Sequence, residues 1–214
     1  MAVHRKLPLE DLVQNYLSLV RTSQSERTPQ DLGAALLAWG AEWQQLAMRQ
    51  GVLLRLEGLE ELGTVAVHAH TLRRAMLNLV QNAFDAMPQG GTLTLAGRRT
   101  GAHIVLQVRD TGCGMPSEQL AKMFEPLYTT KPGGTGLGLY IVQEIVAAHG
   151  GQITVESVVG QGATFTLTLP GAMDTPQPGT QWTARPSWPG APDGNARVMP
   201  CDTRFAQGTL RSRR

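Results

Sequence analysis

A glycine-rich run at residues 133–138 leads directly into an apolar helical pattern, and it limits the folds open to this chain. Glycines before a helix start bring free backbone N–H groups and the positive end of the helix dipole to one place, which suits phosphate. A dinucleotide-binding fold needs a strand immediately before such a run. Here residues 124–132 contain Pro126 and Pro132 and are typical of a loop, and the run lacks the Lys-Ser/Thr ending of a P-loop. The sequence therefore predicts an anion site outside the Rossmann and P-loop folds.

Composition divides the 214 residues into a body and a tail. Six of the 13 prolines fall in residues 171–214, where apolar periodicity stops, so we predict a disordered or weakly ordered tail there. Residues 28–170 form the predicted folded domain, and residues 1–27 a helix over about 9–21 with a linker. The net charge of +2 gives no reason to expect nucleic-acid binding.

Two exclusions concern the surroundings of the chain. No run of roughly 18 apolar residues occurs, so we expect no membrane segment. The two cysteines are too few for a disulfide framework or a four-cysteine zinc site, which favours the reducing cytoplasm.

Hydrophobic periodicity predicts the elements of the folded domain. Residues 22–30 are polar and contain Pro29, so they are predicted to break the chain. Long helices are predicted at residues 31–50, at residues 71–87 and from the glycine-rich run to residue 149, with Asp31 and Thr71 as N-caps of the first two. Strands are predicted at residues 52–56, 64–67, 92–96, 104–109, 152–157 and 163–169, and a short helix at residues 116–124. These elements predict an α/β (α+β) two-layer sandwich, three helices over a mixed five-stranded sheet.

The helix at residues 71–87 carries a polar stripe opposite its apolar face. Asn78, Asn82 and Asp85 follow one another at steps of four and three residues. A solvated stripe would explain their position, but asparagine is a poor helix former and solvent does not require it. Carboxamide oxygens can bind a hard cation such as Mg²⁺. The stripe is therefore either a solvent-facing surface or a cation site.

A second glycine segment, residues 110–115, directly follows a predicted strand. Asp110 at the strand end can accept hydrogen bonds from an exocyclic amine. Gly112 and Gly114 lack the β-carbon that would keep a flat ligand away from the backbone. The same residues also fit an ordinary turn with a capping aspartate.

Four segments together resemble a known family. Residues 78–83, 110–115, 124–126 and 134–139 resemble, in order, the asparagine box, first glycine box, phenylalanine box and second glycine box of the histidine-kinase ATP-binding domain. The resemblance covers about residues 9–170 and implies a Bergerat-type fold of the GHKL ATPase superfamily. The short lid with Thr129, Thr130 and Lys131 is most similar to that of nitrogen-regulation sensor kinases.

The resemblance implies the cofactors ATP and Mg²⁺ and assigns a role to individual residues. Asn82 would be the Mg²⁺ ligand, Asp110 would accept from the adenine amino group, and Gly112 and Gly114 would allow the base to approach. Asn78 and Lys131 would take part in catalysis. The full implied binding set is Asn78, Asn82, Asp85, Asp110, Gly112, Gly114, Thr130, Lys131, Gly134, Thr135, Gly136, Leu137, Gly138, Leu139 and Thr164.

Asn78 separates the possible functions. Members of the superfamily that activate water carry a glutamate base one turn before the metal-binding asparagine, and an amide cannot accept a proton at neutral pH. A slow ATPase is therefore disfavoured. The resemblance implies the ATP-Mg-dependent catalytic domain of a protein-histidine kinase in a two-component system, with a cytoplasmic location. The alternative is an ATP-binding regulatory module without transferase activity.

The phosphoacceptor is the point at which the chain departs from the family. None of the five histidines is followed at once by an acidic residue, as the family acceptor is. We therefore expect a catalytic half, whether fragment, truncated product or part of a split kinase, with residues 1–27 as the remnant of a second dimerisation helix. Its expected partners are a response regulator and/or a His-bearing dimerisation domain, and its expected state is a monomer or weak homodimer.

Overall fold

The computed structural model describes residues 27–171 and the backbone of residues 197–198. The elements, in chain order, are β1 (Thr28–Asp31), α1 (Leu32–Arg49), β2 (Val52–Glu57), β3 (Thr64–Val67), α2 (Ala69–Ala86), β4 (Gly91–Thr100), β5 (His103–Asp110), α3 (Ser117–Lys122), α4 (Gly138–Ala148), β6 (Gln152–Val158), β7 (Gly162–Pro170) and β8 (Arg197–Val198).

The main sheet has the strand order β2-β4-β5-β7-β6-β8. Strand β2 runs parallel to β4, while every other neighbouring pair is antiparallel, so the sheet is mixed. Five strands have six or more residues, and the two-residue β8 extends the edge at β6. The long helices α1, α2 and α4 supply the second layer. The predicted sandwich of three helices over a five-stranded mixed sheet is confirmed.

The core lies between the helices and one face of the sheet. Alternate residues of β5, Ile104, Leu106 and Val108, join the same buried cluster as Leu79 of α2 and Val142 of α4. Complete burial of one such side chain stabilises the fold by about 1.5–3 kcal/mol relative to exposure. The opposite face of the sheet is rich in half-buried threonines, which is the alternation expected when one face is packed.

The predicted N-cap is confirmed for α1 and wrong for α2. Asp31 caps α1, since its Oδ1 accepts a hydrogen bond from the N–H of Ala34 at 3.0 Å. The prediction that Thr71 is the N-cap of α2 was wrong. The helix begins at Ala69, and the Thr71 hydroxyl inside its first turn donates to the carbonyl of His68 at 3.0 Å. The backbone N–H of His68 is held by His149, which fixes the chain in an extended conformation just before the helix.

Strand β1 was not predicted, because polar residues and Pro29 indicated a break. The strand pairs antiparallel with β3, from Thr28 opposite Val67 to Asp31 opposite Thr64, in a separate two-stranded sheet. Proline is tolerated on such an edge strand.

Three predictions concern the ends of the chain. The predicted helix over about residues 9–21 lies outside the described residues, as does most of the predicted tail. The domain boundaries 1–27, 28–170 and 171–214 stay predictions. In the part of the chain that is described, no helix has the length and apolar character that crossing a bilayer requires.

A buried histidine joins the start of α2 to the end of α4. His149 is 2% exposed, and its Nε2 accepts from the backbone N–H of His68 at 3.0 Å. Its Nδ1 therefore carries the proton and donates to the carbonyl of Ile145 at 2.7 Å. Nearby, the Arg27 guanidinium donates to the carbonyl of Ala148, the last residue of α4, at 2.7 Å. Burial, with help from the charges of His68 and Arg27, lowers the pKa of His149 to about 4.

This histidine should make the domain sensitive to acid. Its pKa is depressed from 6.5 to about 4 on folding, so between these pH values only the unfolded chain binds the proton. Its contribution is present above pH 6.5 and declines as pH falls towards 4. The free energy of unfolding should lose about 3 kcal/mol over that window. Thermal melts from pH 7.5 to 4 should show a shallower decline for His149→Gln than for the wild type.

The matched control is His70→Gln, which changes an exposed histidine on the first turn of α2. Its melting temperature should follow the wild-type pH profile. A His149→Gln profile as steep as the wild-type one would contradict the role assigned to His149.

Candidate functional site

A cleft of about 490 Å³ opens between α2, the loop after β5, the segment before α4 and the start of β7. In the described part of the chain it is lined by Asn78, Gln81, Asn82, Asp85, Ala86, Asp110, Cys113, Gly114, Met115, Gln119, Met123, Tyr128, Thr129, Thr130, Lys131, Gly134, Thr135, Gly136, Gly138, Leu139, Ala163 and Phe165. The three segments that were singled out from the sequence therefore meet at one place.

Helix α2 forms one wall of the cleft. Its apolar side is fully packed, with Leu72, Met76 and Leu79 at most 1% exposed. The residues of the opposite side therefore face the cleft, including Asn78 and Asn82. The stripe predicted from helical spacing lines the cleft, with Asn78 and Asn82 half-buried and Asp85 exposed to solvent.

A lysine holds two members of this stripe. The Nζ of Lys131 donates to Oδ1 of Asn82 at 2.7 Å and to Oδ2 of Asp85 at 2.6 Å. We call residues 125–132, in which Lys131 lies, the lid. Since an ammonium group only donates, the carboxamide oxygen of Asn82 must face it. The ammonium group of Lys131 thus lies against the oxygen that the resemblance implies as the Mg²⁺ ligand.

Asp110 forms the opposite end of the cleft and is 4% exposed. Its Oδ1 accepts from the backbone N–H groups of Gly112 at 2.8 Å and Ala163 at 3.3 Å. Both bonds use Oδ1, which leaves Oδ2 as an acceptor at the cleft. Burial raises the pKa of Asp110, and the two backbone bonds oppose that shift. The carboxylate is therefore fixed in orientation by the loop that it begins and by the start of β7.

The glycines of the loop at residues 110–115, here the glycine loop, are also required by the packing of the loop itself. A β-carbon at Gly112 would lie 2.5 Å from the carbonyl oxygen of Ala86 on α2. One at Gly114 would lie 2.1 Å from the carbonyl oxygen of Val158. Both glycines are thus required by packing of the loop on α2 and β6, independently of any ligand. Their predicted role in the approach of the base rests on Gly114 alone, since Gly112 does not line the cleft.

The lid closes against the segment before α4 in a similar way. Leu127 has a positive φ of 67°, and a β-carbon at Gly136 would lie 2.3 Å from the Leu127 backbone. A methyl group at Gly138, in contrast, would be in ordinary contact with Oδ1 of Asn78 at 3.6 Å. Helix α4 therefore begins beside Asn78, and among the described residues no side chain caps its N-terminus. Its first N–H groups are available to an anion in the cleft.

Three residues of the predicted binding set do not line the cleft: Gly112, Leu137 and Thr164. Leu137 is 6% exposed and belongs to the hydrophobic core. Thr164 lies between the cleft-lining residues Ala163 and Phe165, so strand alternation turns it to the other face of the sheet. The other members all line the cleft. Several lining residues were not predicted, among them Gln81, Gln119 and Phe165, because side chains of these types carry no signal in a single sequence.

Comparison with known proteins identifies the family. A family model described as histidine kinase-, DNA gyrase B-, and HSP90-like ATPase matches residues 67–173, half of the chain. The chain belongs to this ATPase family. The sensor histidine kinase ZraS of Salmonella typhi is 39% identical over 127 residues, which are 59% of this chain and 27% of that protein. This chain spans about a quarter of the length of ZraS and of sporulation kinase C from Bacillus subtilis.

Solved structures agree with the family assignment. The catalytic domain of the histidine kinase ThkA, in a nucleotide-free form, is 28% identical with a TM-score of 0.63, covering 69% of this chain and 97% of that chain. Full-length ShkA in complex with AMPPNP is 26% identical with a TM-score of 0.63, covering 78% of this chain and 37% of that chain. The resemblance to the GHKL ATPases and the expected fold are confirmed.

Substitution of two glycines in the β6–β7 turn tests the packing beneath the cleft of this ATPase-family domain. Gly162 and Gly160 both have positive φ, but a β-carbon at Gly162 would lie 2.0 Å from the Asp110 carbonyl oxygen, while one at Gly160 meets nothing within 4 Å. Gly160→Ala should cost about 1 kcal/mol of stability, the cost of a left-handed alanine. Gly162→Ala should cost more than about 3 kcal/mol, since backbone must move. Equal denaturant midpoints for the two variants would contradict the close approach.

Proposed function

We propose that this domain binds ATP with Mg²⁺ and serves as the catalytic domain of a protein-histidine kinase in two-component signalling. The observation that carries the proposal is the two-ended cleft. A buried carboxylate stands at one end, and a carboxamide oxygen that already faces a cation stands at the other, one turn along α2 from Asn78, which adjoins the start of α4. The family and the sensor-kinase relatives support the same function.

The base end fits a purine that carries an amino group. Oδ2 of Asp110 accepts and cannot donate while it is ionised, so it favours the adenine amine over the carbonyl oxygen of guanine at the same position. Ala163, Met115 and Phe165 supply apolar surface around it. This end would orient the nucleotide so that its phosphates point towards α4.

The phosphate end fits a metal-bound triphosphate. Asn82 would hold Mg²⁺, which supplies charge neutralisation of the phosphates when bound. Lys131 must leave Asn82 for that to happen, because the carboxamide oxygen cannot hold the ammonium group and the metal ion at the same time. Its exposed ion pair with Asp85 costs at most about 1 kcal/mol to break, so the lysine is free to contact phosphate instead. The uncapped N–H groups of α4, with Gly134 and Gly136, complete the phosphate end.

Asn78 favours transfer to a separate nucleophile over hydrolysis. Asn78 adjoins the start of α4 and cannot take a proton from water. The described lining residues include two carboxylates, Asp85 and Asp110, and neither stands one turn before Asn82, where the water-activating members of the superfamily carry their glutamate. That position is held by the amide of Asn78, which supports transfer over hydrolysis. Positioning and charge stabilisation suffice when another domain supplies the nucleophile.

The partner that we propose is a domain that presents a phosphoacceptor histidine, followed in the pathway by a response regulator. The buried His149 of the domain itself is unsuited to accept phosphate, because both of its ring nitrogens are engaged. The chemistry consumes ATP, which supports a cytoplasmic location for this domain. The alternative function is an ATP-binding regulatory module that holds the nucleotide without transferring phosphate.

A binding experiment separates the roles of Asn82 and Lys131. Asn82→Ala should abolish the gain in ATP affinity that Mg²⁺ gives, so that dissociation constants in Mg²⁺ and in EDTA become nearly equal. Lys131→Met should weaken ATP binding about tenfold in both conditions, since its phosphate contact does not need the metal. Isothermal titration calorimetry checks both, with Lys122→Met of α3 as a control. An Mg²⁺ effect that survives in Asn82→Ala would contradict its role as ligand.

A transfer experiment separates the two candidate functions. The wild-type chain is incubated with γ-labelled ATP, Mg²⁺ and dimerisation domains from sensor kinases such as ZraS. We expect acid-labile, alkali-stable label on the acceptor domain, and little release of free phosphate without it. Asp110→Asn should lower the labelling at least tenfold, because its amide presents a donor to the adenine amine. Normal ATP binding with no label on any acceptor would favour the regulatory module.

A further inference from the structure

Ser157, the residue before the last of β6, bonds to two segments that border the cleft. Its Oγ accepts from the backbone N–H of Met115 in the glycine loop at 2.9 Å. The same hydroxyl donates to the carbonyl oxygen of Gly162, the first residue of β7, at 2.7 Å. A hydroxyl is the smallest side-chain group that can accept one bond while it donates another. Ser157 does not itself line the cleft.

The topology explains why the glycine loop needs such an anchor. Strand β5 pairs with β7, and β7 with β6, so the loop that leaves β5 passes the start of β7 before it reaches β6. In the β6–β7 turn, the Gly160 N–H donates to the Cys113 carbonyl of the glycine loop at 2.8 Å. The missing β-carbon of Gly114 lets the loop lie against the Val158 backbone. The tip of the loop therefore rests on the β6–β7 turn, with Ser157 as its side-chain contact there.

Ser157 and Asp110 fix the two ends of the same loop. Asp110 holds the beginning through Gly112 and also bonds to Ala163, which is the partner of Ser157 across β6 and β7. Met115, at the other end of the loop, lines the cleft. Loss of the hydroxyl would leave the Met115 N–H and the Gly162 carbonyl each without this partner. The wall of the base end would then lose its fixed distance from Oδ2 of Asp110.

We infer that Ser157 is a positioning residue for the adenine end of the cleft: it sets the glycine loop against the β6–β7 turn and thereby sets base affinity and selectivity without touching the nucleotide. The inference rests on the proposed binding of ATP. It adds a residue that neither the motif resemblance nor the cleft lining includes.

The test compares two hydroxyl deletions in one sheet. Ser157→Ala removes the anchor, while Thr166→Val removes a hydroxyl on the outer face of β7 that accepts from Gln107 Nε2 at 3.2 Å. Calorimetry measures binding of ATP and of GTP, and amide hydrogen exchange measures the protection of Met115. Ser157→Ala should bind ATP about tenfold more weakly, with a smaller change for GTP, and should exchange the Met115 amide faster. Thr166→Val should change neither, and Ser157→Thr, which keeps the hydroxyl, should restore both.

Each result decides a separate question. If Ser157→Ala and Thr166→Val have equal ATP affinity, or if Met115 stays as protected as in the wild type, the inference is overturned. Melting temperatures of the variants show that the comparison is made on folded protein. If Ser157→Ala unfolds, Ser157→Cys replaces it, because a thiol is only a weak donor and acceptor and should give the same changes in smaller measure. A wild-type chain that binds no ATP would overturn the proposed function. The exchange measurement uses no nucleotide, so it tests the anchoring of the glycine loop separately.

Discussion

Helix α2 can bury only one of its faces, and this constraint decides where the cleft lies. Leu72, Met76 and Leu79 are packed against the sheet, each with about 1.5–3 kcal/mol of favourable burial. The contact of Lys131 with Asp85, in contrast, is worth at most about 1 kcal/mol. The core therefore fixes the rotation of the helix, and the asparagines of its other face are aimed into the cleft whether or not the lysine is present. The polar site depends on apolar packing, because packing supplies the larger free energy.

The parts of the fold that could be predicted from sequence are those in which local chemistry and burial agree. The apolar spacing of α2 and the alternation of β5 belong to this class, as does the Asp31 cap, where a short polar side chain precedes a helical pattern. Strand β1 was not predicted, because Pro29 indicates a break in the chain. Its backbone nevertheless pairs with β3 along its whole length. The N-cap prediction for Thr71 was wrong because His149, which is distant in sequence, holds the residue before α2 by a hydrogen bond to its backbone N–H. Tertiary contacts override local preference at both places.

The candidate site shows the same division. Asn82 and Asp110 were predicted from residue type and position, and the structure brings both to one cleft. The contacts of Lys131 and Ser157 join residues 49 and 42 positions apart, and no local pattern signals such pairs. Gly112 and Gly114 were recognised for a reason that applies to ligands, whereas their β-carbons would collide with Ala86 and Val158. A glycine in a sequence marks a close approach, but the approaching group becomes known only with the fold.

The hydrogen bond from Arg27 to the last turn of α4 has a mechanical consequence. Helix α4 has 11 residues, a length of about 16 Å, and its other end begins beside Asn78. Arg27 thus contacts one end of helix α4, and the phosphate end of the cleft lies at the other end of the same helix. Because Ile141, Val142, Ile145 and Val146 of α4 are buried in the same core as the strands, any displacement at Arg27 would reach the helix start through the packing of both layers.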